Sequence, residues 1–116
     1  MKECKMKIIV AGGRHYRLNK FDLLKLHGIE NISELVSGGS RGVDTDAEQW
    51  ASMLGIPFKQ FKPNWKQYGR GAGPIRNKDM AKYADALVLF PGGRGTLSMY
   101  NEARKEGLII YDYRNT

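Results

Sequence analysis

Short apolar runs alternate with amphipathic stretches along the chain, and most of the runs end at glycine or proline. The run at residues 7–11 (KIIVA) is rich in β-branched residues and stops at Gly12 and Gly13, which predicts a buried strand. The run at residues 86–90 (ALVLF) predicts a second buried strand. Shorter runs predict three further strands, at residues 34–37, 56–61 and 108–111.

Helices are predicted between these strands. From Val43 onward, apolar residues recur at helical spacing as far as Leu54 and form a single stripe, with Gly55 as the stop. Asn19 is a typical N-cap for a helix that continues to about Leu26. Two more helices are predicted at residues 75–83 and 97–105, and the polar residues 63–74 are predicted to form a loop.

This alternation favours an α/β fold, because helical crossovers are the usual way to join parallel strands. We expect a single Rossmann-like domain over residues 1–116, with a mostly parallel five-stranded sheet and helices on both faces. The expected strand order is 3-2-1-4-5. Ligands of such sheets bind where the strand order reverses, which is here the crevice between the loops after Ala11 and Phe90.

Composition narrows the class of protein. With 116 residues, 41% of them hydrophobic and 27% charged, the chain is a globular domain and not a disordered tail. Cys4 is the single cysteine, which excludes a disulfide within the chain, and His15 and His27 lie far from it. We therefore expect neither a metal site nor a bound cofactor.

Near the start of the chain, only residues 8–11 are continuously apolar. This run is too short for the core of a signal peptide or for a membrane span. We therefore expect a cytoplasmic protein with no membrane partner.

The net charge of +7 is concentrated in one part of the sequence. Residues 59–82 contain seven lysines and arginines against the single acid Asp79, which leaves a local charge of +6. Such a stretch attracts nucleic acid or an anionic small ligand, and it is also compatible with a merely solvated basic face.

Three glycine-rich loops follow predicted strands and would therefore meet at one edge of the sheet. Glycine lets a ligand approach the backbone, a helix N-terminus favours phosphate, and arginine holds phosphate through two hydrogen bonds. The alternative is that these glycines only make tight turns between strands and helices. The predicted ligand-binding residues in the loops are Gly12, Gly13 and Arg14; Ser37, Gly38, Gly39, Ser40, Arg41 and Gly42; and Pro91, Gly92, Gly93, Arg94, Gly95 and Thr96.

Common nucleotide-binding and catalytic patterns do not explain these loops. The sequence contains neither G-x-x-x-x-G-K-[ST] nor G-x-G-x-x-G. Residues 38–42 match the G-x-S-x-G pattern of α/β-hydrolases, but both histidines precede Ser40, whereas that fold needs its histidine after the serine. A serine hydrolase is therefore excluded.

Four motifs in order resemble the SLOG superfamily of Rossmann-like proteins, and in particular its YspA, cpYpsA-related branch, which is common in bacteria and phages. The resemblance covers nearly the whole chain and implies binding of a nucleotide or a nucleotide-derived ligand, by a sensor or binding protein. The motifs are VAGGR (residues 10–14), SGGSRGVD (37–44), AGPIRN (72–77) and FPGGRGT (90–96).

The superfamily includes phosphoribohydrolases, which cleave N-glycosidic bonds with an arginine and a glutamate. Arg76 matches that arginine, since it stands fifteen residues before Pro91, but Met99 occupies the glutamate position. A thioether transfers no proton, so the resemblance retains the binding part of that site and leaves the catalytic part open. A hydrolase would need a displaced carboxylate, for which Glu102 and Asp44 are the candidates, and Arg76 and Glu102 are the predicted catalytic pair.

The superfamily also includes DNA-processing protein A, which binds single-stranded DNA. That comparison rests on the second loop with Asp44, on Arg76 and Asn77, and on the basic stretch with Trp65 and Tyr68. The two aromatic residues would suit base stacking, and packing onto the sheet is the alternative. Asp44 and Asn77 complete the predicted ligand-binding set, and the resemblance is compatible with a homodimer.

Overall fold

A computed structural model describes residues 5–114, so Cys4 lies outside the described residues. Five parallel strands form one sheet in the order β3-β2-β1-β4-β5, which confirms the predicted fold class and strand order. The strands are β1 (Met6–Ala11), β2 (Ile32–Ser37), β3 (Phe58–Gln60), β4 (Ala86–Leu89) and β5 (Ile109–Asp112). The helices are α1 (Lys20–His27), α2 (Val43–Met53), α3 (Trp65–Tyr68), α4 (Ala72–Tyr83) and α5 (Arg94–Lys105).

Alternate side chains of the central strands serve opposite faces of the sheet. Ile8 and Val10 pack with residues of α1 and α2, such as Leu26 and Trp50. Ile9 lies in the other core, with Met80 of α4 and with residues of α5. Burial on both faces explains why these strands read as continuous apolar runs.

Helix starts differ from the sequence prediction in two places. α4 begins at Ala72 instead of residue 75, because Pro74 stands in its first turn, where a missing N–H costs no hydrogen bond. α5 begins at Arg94 instead of residue 97, so part of the third glycine loop is helical. The capping of α1 is confirmed: Asn19 Oδ1 accepts from the amide of Asp22 at 2.9 Å.

The segment predicted as a polar loop contains local structure. α3 forms one turn there, and Asn64 caps it by accepting from the amide of Gln67 at 3.1 Å. A 3-10 turn over Gly69–Gly71 joins α3 to α4. Along residues 5–114, no helix is both long enough and apolar enough to cross a bilayer.

Candidate functional site

The loops after β1, β2 and β4 meet at the carboxyl edge of the sheet, where the strand order reverses. The amide of Gly13 donates to the carbonyl oxygen of Pro91 over 2.8 Å, which joins the first loop to the third. The amide of Val43, at the start of α2, donates to the carbonyl oxygen of Gly13 over 3.3 Å. The first loop is therefore bound on both sides by its neighbours.

Two glycines allow these loops to approach each other. A Cβ on Gly92 would lie 2.7 Å from the amide nitrogen of Gly13 and closer still to the hydroxyl of Thr96. Gly42 has a φ of 73°, and a Cβ there would lie 2.6 Å from the carbonyl oxygen of Arg14. These two positions require glycine for packing within the protein.

Gly93 and Gly95 are different, because a Cβ at either position would have no neighbour within 4 Å. Both residues border a cleft of about 660 Å³ at the switch point of the sheet. The apolar part of its lining includes Ile9, Met80 and Met99. Backbone at the N-terminus of α5 is thus open to a ligand.

Arg76 reaches this cleft from α4. Its Nη1 donates to the carbonyl oxygen of Gly38 at 2.8 Å, and its Nε donates to Asn77 Oδ1 at 2.8 Å. Partial burial lowers the pKa of Arg76 from its ordinary value. The negative charge of Asp44 raises this pKa, and the positive charge of Arg14 lowers it. The guanidinium remains charged and is held in one place.

Asp44 is the second residue of α2 and is buried in the same cleft. Its Oδ2 accepts from the amide of Ser40 at 3.1 Å. Burial raises the pKa of Asp44 to about 6, and the negative charge of Glu48 also raises it. The hydrogen bond from Ser40 and the positive charge of Arg76 lower the pKa, but by less. The carboxyl group therefore exchanges its proton within the physiological pH range.

Asn77 connects α4 to the first turns of α5. It is buried, and its Nδ2 donates to Ser98 Oγ at 3.1 Å and to the carbonyl oxygen of Gly95 at 3.4 Å. Because Asn77 Oδ1 also accepts from Arg76, this amide fixes the position of the arginine relative to the third loop.

Most of the predicted ligand-binding residues line this cleft. They are Gly12, Gly13, Arg14, Gly38, Ser40, Asp44, Arg76, Asn77, Pro91, Gly92, Gly93, Arg94, Gly95 and Thr96. Gly39, Arg41 and Gly42 line a neighbouring cleft instead.

The structure does not bring Ser37 or Glu102 to either cleft. Ser37 is fully buried, and its hydroxyl donates to Glu48 Oε2 at 2.6 Å and accepts from the amide of Gly39 at 3.1 Å. Glu102 lies further along α5, where its carboxylate is 3.7 Å from the ammonium group of Lys105. Of the predicted catalytic pair, Arg76 lines the cleft and Glu102 does not.

Met99 lines the cleft from the second turn of α5, because this helix begins at Arg94 and not at residue 97 as predicted. The side chain of Met99 is 1% exposed and packs in the core with Met80 and Leu89.

A second cleft, of about 1230 Å³, lies next to the first. Eight residues line both clefts, among them Arg14, Arg76 and Arg94. The second cleft adds Arg41, Lys62 and Trp65, and the Trp65 side chain is 54% exposed. Tyr68 is also exposed but lines neither cleft.

Sequence reasoning missed several lining residues. Met80 could have been found, since it lies one helical turn after Arg76 on α4. Tyr16 lines the first cleft because its ring stacks on Phe90 and its hydroxyl donates to Asp22 at 2.8 Å. No local sequence pattern predicts these contacts. Within residues 5–114, no cluster of three potential ligand side chains could hold a metal ion.

A sequence model of the YspA, cpYpsA-related SLOG family matches residues 6–68. The chain belongs to this family. The match runs from β1 through α3 and includes the first two glycine loops, and it confirms the resemblance inferred from the motifs.

Two further similarities each cover more than nine-tenths of this SLOG-family chain. The Gene 61 protein of Mycobacterium phage D29 is 29% identical over 119 residues, which cover 92% of this chain and 95% of that protein. The X-ray structure of DNA processing protein A from Streptococcus pneumoniae matches 93% of this chain with a TM-score of 0.71 at 18% identity. This chain spans 50% of that protein's chain, and at 18% identity the similarity establishes the fold alone.

Proposed function

We propose that this SLOG-family protein binds a nucleotide or nucleotide-derived ligand through its phosphate, as a binding or sensor protein. The observation that carries the proposal is the open backbone at Gly93 and Gly95, beside the fixed guanidinium of Arg76. Family membership supports a binding role related to nucleotides or nucleic acid.

The N-terminus of α5 provides the phosphate site in this proposal. The first amide groups of a helix have no partner within it, and the helix dipole adds a positive field there. Among the described residues, no side chain caps the N-terminus of α5. Arg14, Arg76 and Arg94 line the same cleft and would neutralise the phosphate charge.

The remainder of the cleft fits a nucleoside. The Asp44 carboxyl group is a hydrogen-bond acceptor for ribose hydroxyls when it is ionised. The apolar part of the lining, which includes the polarisable side chains of Met80 and Met99, would lie beneath a base. A cleft of about 660 Å³ lies within the range typical of small-molecule sites, about 300–1,000 Å³.

Single-stranded DNA is a second candidate, which the exposed Trp65 beside Lys62 in the second cleft favours. The matching solved structure is named as a DNA-processing protein, which agrees with this alternative. Binding through phosphates would weaken steeply as salt is raised, with a slope set by the number of contacts. Tight binding that survives physiological salt and is lost in Trp65→Ala would favour DNA over a small ligand.

Mass spectrometry of small molecules released from the purified, denatured protein tests the proposal. We expect a phosphate-bearing nucleotide or nucleotide derivative in proportion to the protein. Protein that releases no nucleotide, binds none of the common nucleotides in calorimetry and is retained by single-stranded DNA would refute the proposal in favour of the second candidate.

A further inference from the structure

The two clefts are adjacent, because eight of their lining residues are shared. The first cleft has the size of a site for one small ligand. The second has a volume of about 1230 Å³, and its lining includes Lys62 and Trp65. A single nucleotide held at α5 would leave this second space unused.

The second cleft is strongly positive. Its acid Asp46 is neutralised by Arg17, whose Nε and Nη2 donate to the two carboxylate oxygens at 2.8 and 2.9 Å. Arg41 and Lys62 then add two cations to those that both clefts share. This charge suits a second phosphate group on the same ligand.

Trp65 supplies an aromatic surface next to these cations. A Cβ on Gly73 would lie 3.8 Å from the indole, so the ring lies beside the start of α4, and about half of the residue remains exposed. The Asn64 cap fixes the single turn of α3 that carries the ring. An exposed indole among positive charges is a stacking surface for a base.

We propose that the second cleft is a subsite for a second nucleotide unit, so that the ligand is a dinucleotide: two nucleosides joined through phosphate. The inference rests on the proposed function, since the first phosphate is placed at α5. In this arrangement the first unit occupies the cleft above Met80 and Met99. The linking phosphates pass the shared arginines, and the second base stacks on Trp65.

Calorimetry with probes of increasing length tests the inference. The probes are 5′-mononucleotides of each base, dinucleotides joined by a 3′–5′ phosphodiester or by a 5′–5′ pyrophosphate, and single strands of eight nucleotides. We expect at least one dinucleotide to bind about tenfold tighter than its mononucleotide, which is the gain expected from stacking one base. The eight-unit strand should bind no tighter than the dinucleotide.

Two variants test whether the higher affinity of the dinucleotide comes from Trp65. In Trp65→Ala the dinucleotide should lose about tenfold in affinity, so that it binds like the mononucleotide. Tyr68→Ala is the matched control, because Tyr68 is exposed on the same turn but lines neither cleft, and it should keep the gain.

The outcomes separate this inference from the proposed function. If mononucleotides bind and no dinucleotide binds tighter, the second subsite is refuted while the proposed function stands. Affinity that rises steadily from two to eight units would replace the dinucleotide with a nucleic-acid strand and refute the inference. If neither a mononucleotide nor a dinucleotide binds, the proposed function itself fails, and the inference fails with it.

Discussion

The guanidinium of Arg76 donates to the carbonyl oxygen of Gly38 over 2.8 Å, which ties α4 to the loop after β2. The contact needs a glycine at position 38, since a Cβ there would lie 2.6 Å from the same Nη1 atom. Asp44 also approaches this glycine, with Oδ2 3.1 Å from the same Cβ position. A cation and a buried carboxyl group are thus placed together by one residue without a side chain.

Arg76→Lys should weaken nucleotide binding by about tenfold or more, because an ammonium group cannot keep the contacts to Gly38 and Asn77 while it binds phosphate through two hydrogen bonds. Calorimetry with 5′-mononucleotides measures the change. Arg70→Lys is the control, since Arg70 lies in the same basic stretch and lines neither cleft. Equal affinity of the two variants for the nucleotide would show that Arg76 does not bind its phosphate.

Gly42→Ala should reduce the free energy of unfolding more than Gly55→Ala does. Both glycines have a φ near +72°, so both substitutions carry the backbone cost of about 1 kcal/mol. A Cβ at Gly55 meets open space, whereas at Gly42 it meets the backbone of the first loop, which adds about 2 kcal/mol. Urea unfolding of both variants measures the difference, and equal losses would show that the loops are not closely packed.

Asp44→Asn should change how stability depends on pH. Because burial raises the pKa of Asp44 to about 6, the folded protein keeps this proton at pH values where the unfolded chain, at 3.8, has lost it. Stability from this group is therefore present below about pH 4 and is lost as pH rises through about 6. Between about pH 5 and pH 8, wild type should lose about 1–2 kcal/mol relative to Asp44→Asn.

Asp46→Asn is the matched control for this measurement. The hydrogen bonds from Arg17 lower the pKa of Asp46, so this carboxylate is ionised in the folded and unfolded states throughout the same window. The change in stability from about pH 5 to pH 8 should match that of wild type. An identical pH dependence for wild type and Asp44→Asn would contradict the account of Asp44.

Wild type should release no free base from nucleoside monophosphates. The position that carries glutamate in the phosphoribohydrolases holds Met99, and Glu102 lies outside the cleft beside Lys105. Chromatography of the reaction mixture for wild type and Glu102→Gln checks this expectation. Steady turnover by wild type that disappears in Glu102→Gln would make the protein a hydrolase that uses a displaced carboxylate.

The central part of the fold could be predicted because its signals are local and strong. Residues 7–11 and 86–90 are apolar without interruption, since β1 and β4 are covered on both faces. The glycine loops could be assigned to one edge because parallel strands end there together. The clustering of Arg76 with the second loop followed from the family motifs and not from spacing, which carries no information on contacts across 38 residues.

Other features depend on tertiary contacts that the sequence does not encode locally. α3 has a single turn and no apolar stripe, so periodicity gives it no signal. Gly95 in the first turn of α5 obscured the start of that helix. The inward placement of Ser37 is decided by its partner Glu48, a residue on a different element.

Binding of 5′-mononucleotides to Gly93→Asp tests the central claim most directly. A Cβ at Gly93 would meet no protein atom within 4 Å, so the variant should fold, and its carboxylate would occupy the space that phosphate needs. Gly71→Asp is the control: it adds the same charge, its nearest neighbour is Ile75 at 4.0 Å, and it lines neither cleft. In calorimetry, wild type and Gly71→Asp should bind the nucleotide while folded Gly93→Asp does not. Wild-type affinity in Gly93→Asp would contradict phosphate binding at the N-terminus of α5.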